Sequence, residues 1–89
     1  MSEKIWADEA WEDYLYWQTQ DRKTLKRINQ LIRDIERNGP AEGIGSPEAL
    51  RNNLNGYFSR RIDEKNRNVY RVEGTRIYIA QCRGHYGDK

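Results

Sequence analysis

Eighty-nine residues with 36% apolar and 34% charged side chains suffice for one modest core, carry too many regularly spaced aromatics for disorder, and leave no room for a second domain. A single cysteine, Cys82, excludes an intrachain disulfide and fits a reducing compartment. No apolar run approaches the ~18 residues of a membrane span, and the acidic, Trp-containing N-terminus is unlike a signal peptide, so one soluble, cytoplasmic domain over 1–89 is expected. Net charge is only +2, but residues 1–40 hold seven Lys/Arg against eight Asp/Glu, whereas residues 51–86 hold eight against three. A basic excess gathered in one half suits a surface that meets phosphates, although an ordinary solvated face accounts for it equally well.

In chain order, residues 4–6 form a short apolar patch and a candidate strand. Asp8 is a candidate N-cap, with Glu9, Glu12 and Asp13 in the first turns, where carboxylates favour the positive end of a helix. Trp11, Tyr14, Leu15 and Trp17 give that helix one broad apolar face. Asp21 starts a second helix, whose Leu25, Ile28, Leu31, Ile32 and Ile35 recur at three- to four-residue spacing, and Asn38-Gly39-Pro40 ends it. Residues 41–46 read as a loop. Pro47, favoured at a first helical position, predicts one helical turn over 47–51. Leu54 anchors the chain ahead of the turn pair Asn55-Gly56.

From Tyr57 the period changes to two, predicting strands over 57–62, 67–73 and 76–83, with a link at 63–66 and a tight turn at Gly74-Thr75. Helices first and strands after imply an α+β domain, two packed helices against one face of an antiparallel sheet, with the other face left open as a cleft. Strand alternation sends Phe58, Ile62, Tyr70 and Val72 beneath the helices. It leaves Arg61 and Arg67 together on the open face, with Tyr57 and Tyr86 nearby. Cys82, inside an apolar strand pattern, reads as a small buried thiol rather than a nucleophile.

Paired guanidiniums grip phosphate, and aromatic rings stack on unpaired bases; cross-strand surface charge is the bland reading of the same residues. His85, the one histidine, is the one side chain whose ordinary pKa suits proton transfer near pH 7, and Glu48 is a candidate partner. RNA is cut when its 2′-hydroxyl attacks the adjacent phosphate, which takes a base, an acid and cations around the phosphorane. Glu or His, His and two Arg meet that list without metal or cofactor. No His/Cys/Asp cluster has zinc-ligand spacing, and Gly43-Ile44-Gly45 lacks the ending of a phosphate loop.

Several blocks together resemble the YoeB (Txe) toxins of the RelE superfamily, from bacterial type II toxin–antitoxin modules. They are Asp13-Tyr14-Leu15-Tyr16-Trp17-Gln18, Gly43-x-Gly45-x-Pro47-Glu48-x-Leu50, Asn53-Leu54-x-Gly56, Ser59-Arg60-Arg61-Ile62, Arg67-x-Val69-Tyr70 and Cys82-Arg83-x-His85-Tyr86. The resemblance spans residues 5–86. It implies a RelE-like fold of two helices against a twisted antiparallel sheet of four to five strands, including an N-terminal strand. It implies a ribosome-dependent endoribonuclease that cuts mRNA in the ribosomal A site and halts translation. Glu48 matches the family's general base, His85 its general acid and Arg67 its transition-state arginine, while Arg51, Arg61 and Tyr86 match residues that bind or position RNA. The implied partners are a YefM/Phd-type antitoxin and a second copy of the chain. Gly84 departs from the family in replacing an aromatic, and residues 87–89 extend past its usual final Tyr as an expected flexible tail. The rival readings are a non-catalytic RNA- or antitoxin-binding module and a ParE-like toxin directed at gyrase.

Overall fold

A computed structural model describes residues 2–85; the 87–89 tail and Tyr86 lie outside them. The chain runs β1 (Glu3–Trp6), α1 (Asp8–Gln20), α2 (Arg22–Asn38), β2 (Glu48–Ala49), a short 3-10 turn (Asn52–Leu54), β3 (Phe58–Arg61), β4 (Arg67–Glu73) and β5 (Arg76–Gln81). The five strands form one sheet in the order β1-β5-β4-β3-β2. Three pairings are antiparallel, two of them those of the expected meander and the third the unexpected β2–β3 pair, but β1 joins β5 in parallel, so the sheet is mixed. The cause is topological. The two helices carry the chain from β1 to the far side of the sheet, and the meander then returns to place β5 beside β1 in the same direction.

Both helices begin without strain. Asp21 caps α2 by accepting from the N–H groups of Lys23 and Thr24, which holds its carboxyl below the usual carboxylate range, the Thr24 hydroxyl being the foremost cause. The cap of α1 is Ala7, whose side chain makes no capping bond; Asp8, the expected cap, is instead the first helical residue and acts through the helix dipole. Gly39 closes α2 at φ +86°, a conformation open to glycine.

Ile28, Leu31, Ile32 and Ile35 of α2 are buried with Tyr70, Ile77 and Ile79 of the sheet and with Ile62 just past β3, and Phe58, Val72 and Leu25 pack at the margin. Each such aliphatic side chain contributes roughly 1.5–3 kcal/mol through burial. The buried stripe of α1 differs from the expected one: it is Ala10, Asp13 and Trp17, while Trp11 is 45% exposed and Leu15 also faces outward. A small residue at position 10 lets α1 approach the end of β5 closely. Trp17 Nε1 and the Asp13 carboxylate then bond the carbonyl and N–H of Cys82 at 2.8 and 3.1 Å. Cys82 is buried, as its strand pattern indicated.

The helical turn expected after Pro47 is absent. Glu48 and Ala49 extend as β2, with Glu48 opposite Ser59 and Ala49 opposite Phe58, because an unpaired β3 edge offers ladder partners that one isolated helical turn cannot match. The strands expected over 57–62 and 76–83 are trimmed to Phe58–Arg61 and Arg76–Gln81, while Arg67–Glu73 is found as expected.

Loop 39–46 is clamped by Arg60, which is 0% exposed on the helix side of the sheet. Its guanidinium donates to Tyr70 Oη, Asp34 Oδ2 and the carbonyls of Ile44, Gly39 and Glu42, so all five N–H groups are used. Tyr70 Oη donates its own hydrogen bond to the carbonyl of Pro40 at 2.6 Å. Burial pushes the Tyr70 phenol up, more than the nearby guanidinium pulls it down. The glycine pair serves this clamp: a Cβ on Gly45 would stand 2.8 Å from Leu31 Cδ2, and one on Gly43 would overlap the Asp34 carboxylate.

A candidate phosphate-binding face

Residues paired across neighbouring strands share a sheet face. The pairs Glu48–Ser59, Ser59–Val69 and Val69–Gln81 therefore make one row across four strands, on the face away from the helices. Arg61 lies directly opposite Arg67 in the next row. Glu48 and Arg67 are two strands apart and one pleat offset, a Cα separation of about 12 Å from ordinary strand spacings. Side chains reaching inward across that span can surround a group of phosphate size.

The floor of this face is not open sheet. Ser59 and Val69 are only 3% and 2% exposed, and Leu50 is buried beside them, its N–H donating to the carbonyl of Tyr57 at 2.9 Å. Charge stands at the rim: Glu48, Arg51 and Arg61 are exposed and Arg67 half-buried. Arg67 Nη1 donates to the carbonyl of Asp63 at 3.0 Å, which ties the guanidinium to the 63–66 turn. Arg71, further along, stacks on Tyr78 at 3.8 Å and faces Tyr57 at 5.9 Å. Tyr57, which the sequence offered as a base-stacking ring, thus already has a cationic neighbour.

The C-terminal segment closes one end of the face. Arg67 N donates to the carbonyl of Gly84 at 2.9 Å, and Gly84 N donates to Asn66 Oδ1 at 2.7 Å. Gly84 adopts φ +80°, a turn that an L side chain resists and glycine permits. His85 is half-buried, one residue beyond the carbonyl bonded to Arg67. Among the expected site residues, Arg61, Arg67, Glu48 and the His85 backbone are brought to one side of the molecule. Arg51 falls outside the ladder, at the start of the 3-10 turn, and Tyr86 lies beyond the described residues.

Sequence reading missed the scaffold of this end. Asp63 accepts from the N–H groups of Lys65 and Asn66, both at 2.8 Å, and from the Asn66 carboxamide. Burial raises the Asp63 carboxyl, yet these bonds, first that from the Asn66 side chain, outweigh it and hold the group below the usual range. The Asp-x-x-Asn spacing was a readable turn signal. The role of Gln81 was not, because it depends on an extra residue in β5: Tyr70 pairs with Ile79 but Val69 with Gln81. Ala80 is thereby bulged out, and Gln81 turns onto the face away from the helices.

Comparison with known proteins agrees with the fold. The profile of the family described as YoeB-like toxin of bacterial type II toxin-antitoxin system matches residues 6–86. Toxin YoeB of Escherichia coli strain K12 is 52% identical over 82 residues, covering 92% of this chain and 96% of that protein. A Staphylococcus aureus YoeB, solved in a heterotetrameric YoeB–YefM toxin–antitoxin complex, superposes with a TM-score of 0.91 at 48% identity, covering 97% of this chain and 99% of the other. A dimer of the Staphylococcus aureus YoeB has also been solved, again with a TM-score of 0.91 at 48% identity over 96% of this chain and 98% of the other. A small α+β toxin of the type II toxin–antitoxin class is thus defined by sequence and fold together. The chain belongs to the YoeB-like toxin family.

Proposed function

We propose that the protein is a ribosome-dependent endoribonuclease that cleaves mRNA in the ribosomal A site, without metal or cofactor, and so inhibits translation. Glu48 takes the proton of the 2′-hydroxyl, and the 2′-oxygen attacks the adjacent phosphorus. The bond to the 5′-oxygen breaks, and His85 delivers a proton to that leaving oxygen. The products are a 2′,3′-cyclic phosphate end and a 5′-hydroxyl end. Arg67 and Arg61 neutralise charge on the phosphorane, with Arg51 and Tyr86 binding and positioning RNA. The observation that carries this reading is the Arg61–Arg67 pair on the face that also bears Glu48, with the His85 segment bonded to the Arg67 backbone. By analogy with the Staphylococcus aureus complex and dimer, the partners are a YefM/Phd-type antitoxin and a second copy of this chain. Action on translating ribosomes would place the protein in the cytoplasm.

The test is to induce wild type, Glu48→Ala, Arg67→Ala, His85→Ala and the triple variant, and to map mRNA ends on stalled ribosomes. Wild type should give new ends inside the A-site codon, each single variant a loss of about 100-fold or more, typical of removing a proton-transfer or charge-stabilising group. Equal cleavage by the triple variant refutes the assignment. Uncut mRNA with salt-sensitive binding by wild type would establish a non-catalytic RNA-binding module instead.

A further inference from the structure

Gln81 is 7% exposed and belongs to neither the helix-side core nor the charged rim. Its carboxamide nitrogen donates to three successive carbonyls, those of Arg83, Gly84 and His85, at 3.0, 3.2 and 3.0 Å. Two N–H groups shared among three oxygens require the backbone of 83–85 to curl around a single point. The positive φ of Gly84 is what allows that curl. The neighbouring backbone groups are held as well. Cys82 N donates to Asp13, Gly84 N to Asn66, and Arg67 N to the Gly84 carbonyl. Among them, the Gln81 bond goes directly to the His85 carbonyl.

We propose that Gln81 is a positioning residue for His85: its amide fixes the backbone of the C-terminal turn and so aims the imidazole relative to Arg67. The catalytic part of this proposal rests on the ribonuclease reading above; the ordering part does not. Gln81 faces the phosphate side solely because of the bulge at Ala80. All three of its hydrogen bonds lie within the four residues that follow it, so its removal leaves the helix-side core intact. A proton donor displaced by about 1 Å loses on the order of 100-fold in rate; without the Gln81 amide the Arg83 and His85 carbonyls lose its bonds while Gly84 stays tied to Arg67 and Asn66, so the His85 end of the turn is the part set loose.

The experiment compares wild type with Gln81→Met and Gln81→Leu, which keep the volume and abolish donation. Backbone ¹⁵N order parameters at Gly84 and His85 are measured together with the single-turnover cleavage rate and the KM for programmed ribosomes. Expected are order parameters falling from about 0.85 to below about 0.6 at 84–85 alone, a 10- to 100-fold drop in the cleavage rate, and an unchanged KM. Turn order equal to wild type in either folded variant overturns the proposal, whatever the activity. A loosened turn with undiminished cleavage overturns the catalytic part. Absence of cleavage by wild type sinks the ribonuclease reading, and the order parameters still decide whether Gln81 places His85.

Discussion

Replacing Arg60 tests the clamp that carries the chain from α2 to Glu48. Arg60→Met keeps the length of the stem but removes five N–H donors from five acceptors, leaving the Asp34 carboxylate, only 13% exposed, facing three loop carbonyls. Breaking a buried pair from one side costs about 3–5 kcal/mol, because the surviving charge keeps its desolvation penalty. The loop carbonyls lie near the surface and regain water once the loop opens, which places the expected loss near the lower end, about 3 kcal/mol. For a domain of this size that corresponds to a Tm lower by roughly 12–24 °C. Arg60→Lys, with three donors in place of five, should lose about 2 kcal/mol, since at least two hydrogen bonds go unmade. Urea unfolding followed by tryptophan fluorescence measures both. Adding Asp34→Leu to Arg60→Met should recover at least about 1 kcal/mol, because the stranded carboxylate is then gone. A loss under about 1 kcal/mol for Arg60→Met, or a double variant whose loss is the sum of the two single losses, would refute the account.

Two further predictions concern groups the fold treats unevenly. Asn68 is fully buried and neither end of its carboxamide has a hydrogen-bond partner among the described residues, so Asn68→Leu, of similar shape, should stabilise the chain by about 1–2 kcal/mol in the same urea assay; a neutral or destabilised variant would show that the amide is satisfied in solution. Glu36 is held down to about 2 from an ordinary 4.5, first by Lys4 and then by Ser2, and Asp34 is lowered chiefly by Arg60. Folded carboxyls that titrate below their unfolded values contribute stability that is complete above about pH 4.5 and is lost as pH falls toward 2. Glu36→Gln should therefore lose less stability than wild type between pH 5 and pH 2, and parallel curves for the two proteins would contradict this.

Local pattern alone was enough for much of this molecule. The 3.6-residue recurrence from Leu25 to Ile35, the Asp21 cap, the Gly39 stop and the strand Arg67–Glu73 were legible because each is fixed by contacts or dihedrals within a few residues. Alternation along β3 and β4 also placed Arg61 and Arg67 on one face and Phe58, Tyr70 and Val72 on the other, since a strand's period of two survives whatever it pairs with. What the sequence could not decide were the features set by a distant partner. Glu48 and Ala49 became a strand because the β3 edge stood ready to pair with them, against the helical preference of Pro47-Glu48-Ala49. The direction of β1 followed from the two helices bringing the chain back beside it. The bulge at Ala80 shifted the alternation by one residue, so that Gln81 turned to the face away from the helices while Ile79 stayed in the core. Arg60 and Arg61 are chemically alike and adjacent; only their opposite faces made one a buried clamp and the other a rim cation. Side-chain spacing along the chain encodes which face a residue takes, whereas the surroundings of that face arise only once separate segments share the same space.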